Sequence, residues 1–316
     1  MSRLDRVLVT GAQGCIGAWV VRKLIERGHE VVTYDLSTDL ARLDLISPGL
    51  DRRGLRQETG RIEDTERLKT LVREQGVGHI VHLAAVLMPY CQANPVSGGL
   101  INVVGTLNVF EAARDAGRPV RVVYASSSAV WGPEDAYEAR PLNEGDQARP
   151  ATHYGVFKYA NEENARVFYS SNGISSVGLR PWAVYGPGRD AGLTADPTLA
   201  MRAAAERKPF HIRISGFMDM QYVGDVAETF LHCLFADLSG AHVFNLVGDI
   251  LRMEDLPGML ETLRPGAQGL ITCGGNAVPV AYKMDDSALR RHVPGIPRTS
   301  FEDGMRETVE IFERAR

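Results

Sequence analysis

The sequence predicts an α/β protein: a doubly wound parallel sheet with a smaller lobe supplied by the C-terminal part of the chain. Apolar runs of about five residues recur through the first 180 positions, each ended by glycine or a polar residue, as buried parallel strands are. Longer segments with helical spacing stand between them, and strands alternating with helices build a parallel sheet. Past residue 180 this alternation degrades into a loop-rich pattern, which marks the lobe.

The first strand, residues 6–10 (Arg-Val-Leu-Val-Thr), stops at Gly11. A helix over 19–27 follows and is closed by Gly28 as its C-cap. The second strand covers 30–34 with Asp35 at its tip, and a third precedes Gly60. Residues 79–83 and 121–125 repeat the strand pattern, separated by a long helical segment over 98–116 that ends near Gly117. Residues 152–171 read as a helix and 176–180 as a strand. Beyond lie a loop (187–197), a helix (198–206), a strand (210–215), a helix (226–236) and a strand (243–247). No internal repeat or low-complexity stretch interrupts the pattern.

Composition narrows the function classes. A chain of 316 residues is long enough for a large core. A net charge of −4 without a long basic run gives nucleic-acid binding no electrostatic support. No stretch is read as approaching the apolar length of a bilayer span, so no membrane partner is expected. The opening residues run straight into a strand and leave no room for a signal peptide. Cys15, Cys91, Cys233 and Cys273 are widely spaced and form no metal-type pair. They read as reduced thiols of a cytoplasmic protein, and no metal site is expected.

Gly11, Gly14 and Gly17 mark the turn from a predicted strand into a helix whose N-terminus falls near Cys15, with Ile16 beside it, four residues ahead of its clear apolar spacing from 19. Glycines there permit a tight turn and close backbone approach to a pyrophosphate, while the helix end offers free N–H groups and a positive dipole end. Asp35 follows Gly17 by 18 residues. A carboxylate at that strand tip suits the adenosine ribose hydroxyls and repels a 2′-phosphate, which favours NAD over NADP. Ile62 is positioned to pack on adenine, and Asp64 to border the cofactor or cap the next helix.

Tyr154 and Lys158 stand four residues apart on one helix face. Tyrosine is a poor base at neutral pH, and a neighbouring ammonium favours its phenolate. Such a tyrosine can take a proton from a secondary alcohol while hydride leaves for NAD. Tyr124-Ala-Ser-Ser-Ser128 ends a strand at the carboxyl edge, where a serine hydroxyl would polarise the same oxygen.

These residues sit within a wider set of motifs. The set comprises Gly11-x-x-Gly14-x-x-Gly17, His82-Leu-Ala-Ala85, Asn102-x-x-Gly105-Thr-x-Asn108 and Ser126-Ser127-x-x-Val130-Trp131-Gly132. It continues with Tyr154-x-x-x-Lys158 and Arg180-Pro-x-x-Val-Tyr-Gly-Pro-Gly-Arg189. Over nearly its whole length the chain resembles the extended short-chain dehydrogenase/reductases, in their NAD-dependent epimerase/dehydratase branch. The resemblance implies a Rossmann-like NAD domain mainly over residues 1–175. It implies a substrate lobe mostly over 176–316, with segments that return to the Rossmann core. It makes Ser127 the catalytic hydroxyl residue, with Ser126 and Ser128 as supports, beside Tyr154 and Lys158. Leu83, Ala84, Ala85, Pro181 and Val184 would border the cofactor, and Asn102 would hold the active-site backbone and a water. A homodimer is implied, formed by pairing helices 98–116 and 152–171 into a four-helix bundle.

Departures from the family pattern bear on the substrate. Sugar-nucleotide members grip a diphosphate with arginines, but the matching positions here are Met218 and the arginine-free stretch Gly274–Tyr282. A bidentate phosphate clamp is difficult to replace with apolar side chains. Arg189 and Arg213 remain as candidate anion binders. Ser128-Ala129 stands where dehydratases carry an Asp-Glu pair, which argues against dehydration. Val86, Met88 and Trp182 are apolar positions expected to face substrate, with Ser127 and Ser128 beside them. The expected activity is dehydrogenation of a secondary alcohol on a small sugar or sugar acid. Sugar or nucleotide-sugar epimerisation is the alternative, and a catalytically idle NAD sensor is the third reading.

Overall fold

The computed structural model describes residues 6–315. Its strands, in chain order, are β1 (Arg6–Thr10), β2 (Val31–Asp35), β3 (Leu55–Thr59), β4 (Val77–His82), β5 (Arg121–Ala125) and β6 (Ser176–Arg180). There follow β7 (Ala183–Tyr185), β8 (Phe210–Ser215), β9 (Phe217–Tyr222), β10 (Ala241–Asn245), β11 (Asp249–Arg252) and β12 (Ile271–Ala277). Seven of them form one sheet in the order β10-β6-β5-β4-β1-β2-β3, with every neighbour parallel. The chain winds outward from β1 in both directions, so the loops after β1 and β4 diverge and leave a crevice at their carboxyl ends.

Alternation along each strand explains the layering. Val7 and Val9 face one side with Val31, Val81, Val123 and Val177, against the helices Cys15–Glu26 and Val223–Phe235. Leu8, Val32, Ile80 and Val122 face the other, against Thr65–Glu74, Gly105–Arg114 and His153–Asn172. The lobe contributes a three-stranded sheet, β11-β9-β7, and a parallel pair, β12-β8. Its core residues Met201, Ile212, Met218 and Leu260 belong to the same buried cluster as Val7 and Val9, so lobe and main sheet share one core. β6 and β10 lie past residue 175 and are strands of the main sheet.

Several elements differ from expectation. The first helix starts at Cys15, as the glycine loop implies, four residues before the stretch read from apolar spacing, with Gly14 as its N-cap. The helix expected over 98–116 begins at Pro95 and passes through a π turn at Leu100–Val104. Contrary to the sequence reading, this Pro95–Arg114 helix is long and apolar enough to cross a bilayer by length and composition. Half of its most apolar window is buried inside the protein. β9 was not foreseen, since Asp219 and Gln221 break its apolar pattern. Both are buried and bonded: Gln221 Nε2 donates to Asp219 at 2.9 Å, and Gly248 N donates to it at 2.7 Å.

One buried ion pair ties the helix His153–Asn172 to the sheet. Arg180, at the end of β6, donates to Glu162 through Nε at 2.8 Å and Nη2 at 2.6 Å. Ser126 Oγ donates to the same carboxylate, and the Trp131 ring lies 4.6 Å from the guanidinium. Removing one member of such a pair strands a buried charge. Glu162→Leu should therefore cost about 3–5 kcal/mol in urea unfolding. The double variant Glu162→Leu/Arg180→Met should recover most of that loss.

Candidate active site at the carboxyl edge of the sheet

The crevice is built first from the loop after β1. Gly11 has φ +67°, and a Cβ there would stand 2.5 Å from Ala84 N; at Gly17 it would stand 2.2 Å from Gly11 O. Neither position tolerates a side chain: Gly11 lets the loop lie on the residues after β4, and Gly17 lets the loop close on itself. The helix Cys15–Glu26 opens with no capping side chain and no acidic residue in its first turn. Its first amides and its positive dipole end therefore remain available to an anion. Asp35 fixes the loop, accepting from Gln13 N at 2.9 Å and Leu36 N at 2.8 Å.

Above this loop runs a groove with about 1010 Å³ of empty space. Of the residues expected at a cofactor, Gly11, Gly14, Cys15, Ile16, Gly17, Leu83, Ala85, Tyr154, Lys158, Pro181 and Val184 line it. A second cavity of about 530 Å³ adjoins it, lined by Met88, Ser128, Leu193, Val278 and Val280 among others. Ser127, Tyr154, Pro181, Trp182 and Arg189 line both spaces and form their junction. The groove's glycine floor and its uncapped helix end fit a dinucleotide, and the adjoining space beside Tyr154 is placed to take the molecule that reacts with it.

The junction is electrostatically unusual. Lys158 is buried and donates to Ala125 O at 2.7 Å, with its Nζ 5.6 Å from the centre of the Tyr154 ring. Burial pushes its ammonium down to about 8, against the opposing pull of Cys91 and Glu162. Burial pushes the Tyr154 phenol up, opposed by its hydrogen bond with Ser127 and by the Arg189 charge. Ser127 Oγ also accepts from Ala129 N at 3.1 Å, which holds the serine turn. A Cβ on Gly155 would stand 2.1 Å from Ala129 O, so glycine beside Tyr154 lets the helix meet that turn.

Behind the site lies a chain of buried hydrogen bonds. Thr106 Oγ1 donates to Asn102 O at 2.8 Å, so it accepts from His82 Nε2 at 3.0 Å. His82 Nδ1 then accepts from Thr10 Oγ1 at 2.7 Å. Burial, aided by the Lys158 charge, pushes His82 down to about 3, so the ring is neutral. Asn102 clamps the backbone of Val86, accepting from its N at 2.8 Å and donating to its O at 2.9 Å.

A sequence model of the NAD dependent epimerase/dehydratase family matches residues 7–246. The chain belongs to that family. UDP-glucuronate 4-epimerase 4 of Arabidopsis thaliana is 36% identical over 190 residues, covering 57% of this chain and 42% of the plant protein. The match thus spans less than half of that relative. The structure of Thermotoga maritima UDP-glucose 4-epimerase with UDP-glucose superposes with a TM-score of 0.85 at 25% identity, covering 98% of this chain and 99% of that one. The Thermus thermophilus UDP-glucose 4-epimerase complex with NAD gives 0.82 at 27% identity, covering 98% and 100%. NAD is the cofactor of the family, and the groove described above has the features to hold it.

Some family positions stand elsewhere than the sequence suggested. Asn102 does not line either space; it acts on the site through the backbone of Val86, and Val86 itself is held back from the cavity wall. Ala84 lies behind Gly11. Ile62 is buried under Gly105, and Asp64 caps the helix Thr65–Glu74 by accepting from Arg67 N at 3.0 Å. Asp35 is bonded to the loop and is not among the lining residues. Arg213 is committed to Asp196, with a contact of 2.6 Å, outside both spaces. Met218 is fully buried in the lobe core. Sequence reasoning missed Arg42, which donates to Gln13 O at 2.7 Å and Gly188 O at 3.1 Å. It also missed the apolar walls Leu193, Val278 and Val280, whose arrival depends on tertiary folding alone.

The lowered Lys158 value has a stability consequence. Its folded value of about 8 lies below the ordinary 10.5, so the unfolded chain binds the proton more tightly. Burying the charge therefore costs stability below pH 8, about 3 kcal/mol at 1.36 kcal/mol per pKa unit. That cost fades as pH rises from about 8 to 10.5. Lys158→Met should unfold at higher urea than wild type at neutral pH, even after losing about 1 kcal/mol of hydrogen bonding. The difference should shrink or reverse in alkaline buffer.

Proposed function

We propose that this chain catalyses NAD-dependent oxidation of a secondary alcohol on a compact, carbohydrate-like substrate. The placement of Tyr154 carries the reading: together with Ser127 it lines both the dinucleotide groove and the smaller cavity, at their junction. When bound, NAD supplies the hydride acceptor. Ser127 orients the substrate oxygen, Tyr154 takes its proton, and the Lys158 ammonium stabilises the phenolate. Asp35, at the tip of β2, disfavours a 2′-phosphate and so selects NAD. Residues 1–175 supply most of the cofactor side, and residues from 176 onward supply most of the substrate lobe. Val278 and Val280 wall the cavity, and no lining residue among those described pairs with Arg189 to grip a diphosphate. This favours a substrate smaller than a nucleotide sugar.

Sugar epimerisation is the second reading, favoured by the named activities of the related epimerases. The assembly we propose is a homodimer. The helices Pro95–Arg114 and His153–Asn172 expose Val96, Leu100, Val104 and Val156, an apolar face suited to pairing with a second copy. The four free thiols suit a reducing cytoplasm.

Incubation with NAD and small polyols, aldoses or sugar acids should produce NADH in step with substrate loss. Conversion with flat NADH would instead establish epimerisation. Tyr154→Phe should lower kcat by roughly 10²–10⁴-fold while leaving NAD affinity unchanged. A sensor would be indifferent to the substitution. NADP should bind more weakly than NAD in a titration, and equal or tighter NADP binding would remove the role given to Asp35.

A further inference from the structure

We propose that Arg189 is the specificity residue of the smaller cavity and that the substrate it selects carries a carboxylate near the reacting alcohol. The proposal rests on the reading of Tyr154 above and extends it to a substrate class. Arg189 lines both groove and cavity and is the one charged residue among the described lining of the cavity. Its backbone N donates to Gly186 O at 3.1 Å, which fixes the stem. Of its guanidinium, Nη2 donates to Thr194 Oγ1 at 3.0 Å, and Nε is buried with no partner.

The acid next to it in the chain, Asp190, has no ion pair with it. Asp190 is occupied by Arg42, which donates to it through Nη2 at 2.7 Å and Nε at 3.1 Å. The groove lining therefore holds Arg42, Lys158 and Arg189 against Asp190 alone, and once Arg42 and Asp190 cancel it remains cationic. Around Arg189 the cavity presents Met88, Trp182, Leu193, Val278 and Val280. A partly desolvated guanidinium with an unfilled donor is unfavourable until an anion arrives. A carboxylate matches its planar fork, and the apolar walls strengthen the contact. The remaining candidates for a longer anionic grip are absent from the cavity, since Arg213 is held by Asp196 and Met218 lies in the core. One guanidinium suits one carboxylate on a compact molecule such as a sugar acid. The cofactor diphosphate is the other anion within reach of this junction, and the test separates the two.

The probes are D-glucuronate and D-gluconate against their neutral counterparts D-glucose and D-glucitol, each with NAD present. Binding is measured by calorimetry on Tyr154→Phe protein, and turnover by NADH formation on protein with Tyr154 intact. A charge-assisted contact contributes about 1.5–3 kcal/mol, so at least one acid should bind roughly 10–100-fold more tightly than its neutral counterpart. Arg189→Gln should abolish that preference, raise KM for the acid by a similar factor, and change the affinity for NAD and for the neutral ligand far less than that for the acid. Arg189→Lys should retain part of the preference. Equal binding of acids and neutral sugars would overturn the proposal. So would an Arg189→Gln protein that binds NAD more weakly with its acid preference intact, because the cofactor diphosphate would then be the partner. Acid-selective binding without turnover by protein carrying Tyr154 would leave Arg189 its role and instead refute the oxidation reading.

Discussion

A lysine charge buried at the carboxyl edge of a parallel sheet constrains everything around it. The Lys158 ammonium is held there by donating to Ala125 O, at the end of β5, with Cys91 and, one helical turn further on, Glu162 favouring the charge against burial. Tyr154, Lys158 and Glu162 repeat every fourth residue, so they form one face of the helix His153–Asn172. A different part of the sheet edge meets each of them. Ser127 stands with the phenol at the junction, Ala125 accepts from the ammonium, and Arg180 with Ser126 satisfies the carboxylate. The helix is thereby held in one register against the strand ends.

The same logic governs the opposite wall of the site. The glycine loop sits directly on the residues that follow β4 because Gly11 leaves no side chain in the way, and Gly17 lets the loop fold closely on itself. Thr10, His82, Thr106 and Asn102 then form a hydrogen-bonded line from β1 to the Pro95–Arg114 helix, ending on the backbone of Val86. A neutral His82 is necessary to that line, since it accepts at one ring nitrogen and donates at the other. These polar groups are buried and paired, which rigidifies the crevice between two loops that carry little secondary structure of their own.

The main sheet was legible in the sequence because its strands are short apolar runs with helices between them, and β5, β6 and β8 fall where the pattern put them. The glycine loop and the Tyr-x-x-x-Lys pair were legible because local spacing decides them. The lobe was less so. β9 hides behind Asp219 and Gln221, whose partners lie in distant loops, and the amphipathic helix Phe301–Arg314 was not foreseen. Substrate-side residues were the least readable. Arg189 and Arg213 looked equivalent in sequence, yet one stands at the junction and the other is spent on Asp196. Only the packing of Arg42 against Asp190 shows which cation is left uncompensated.

The most direct test is a crystal structure with NAD bound. The account predicts the nicotinamide ring across the junction from Tyr154, with space for one alcohol carbon at roughly 3–3.5 Å from the reacting atoms. A ring turned away from Tyr154, or packed against its hydroxyl with no room for a substrate between them, would contradict it.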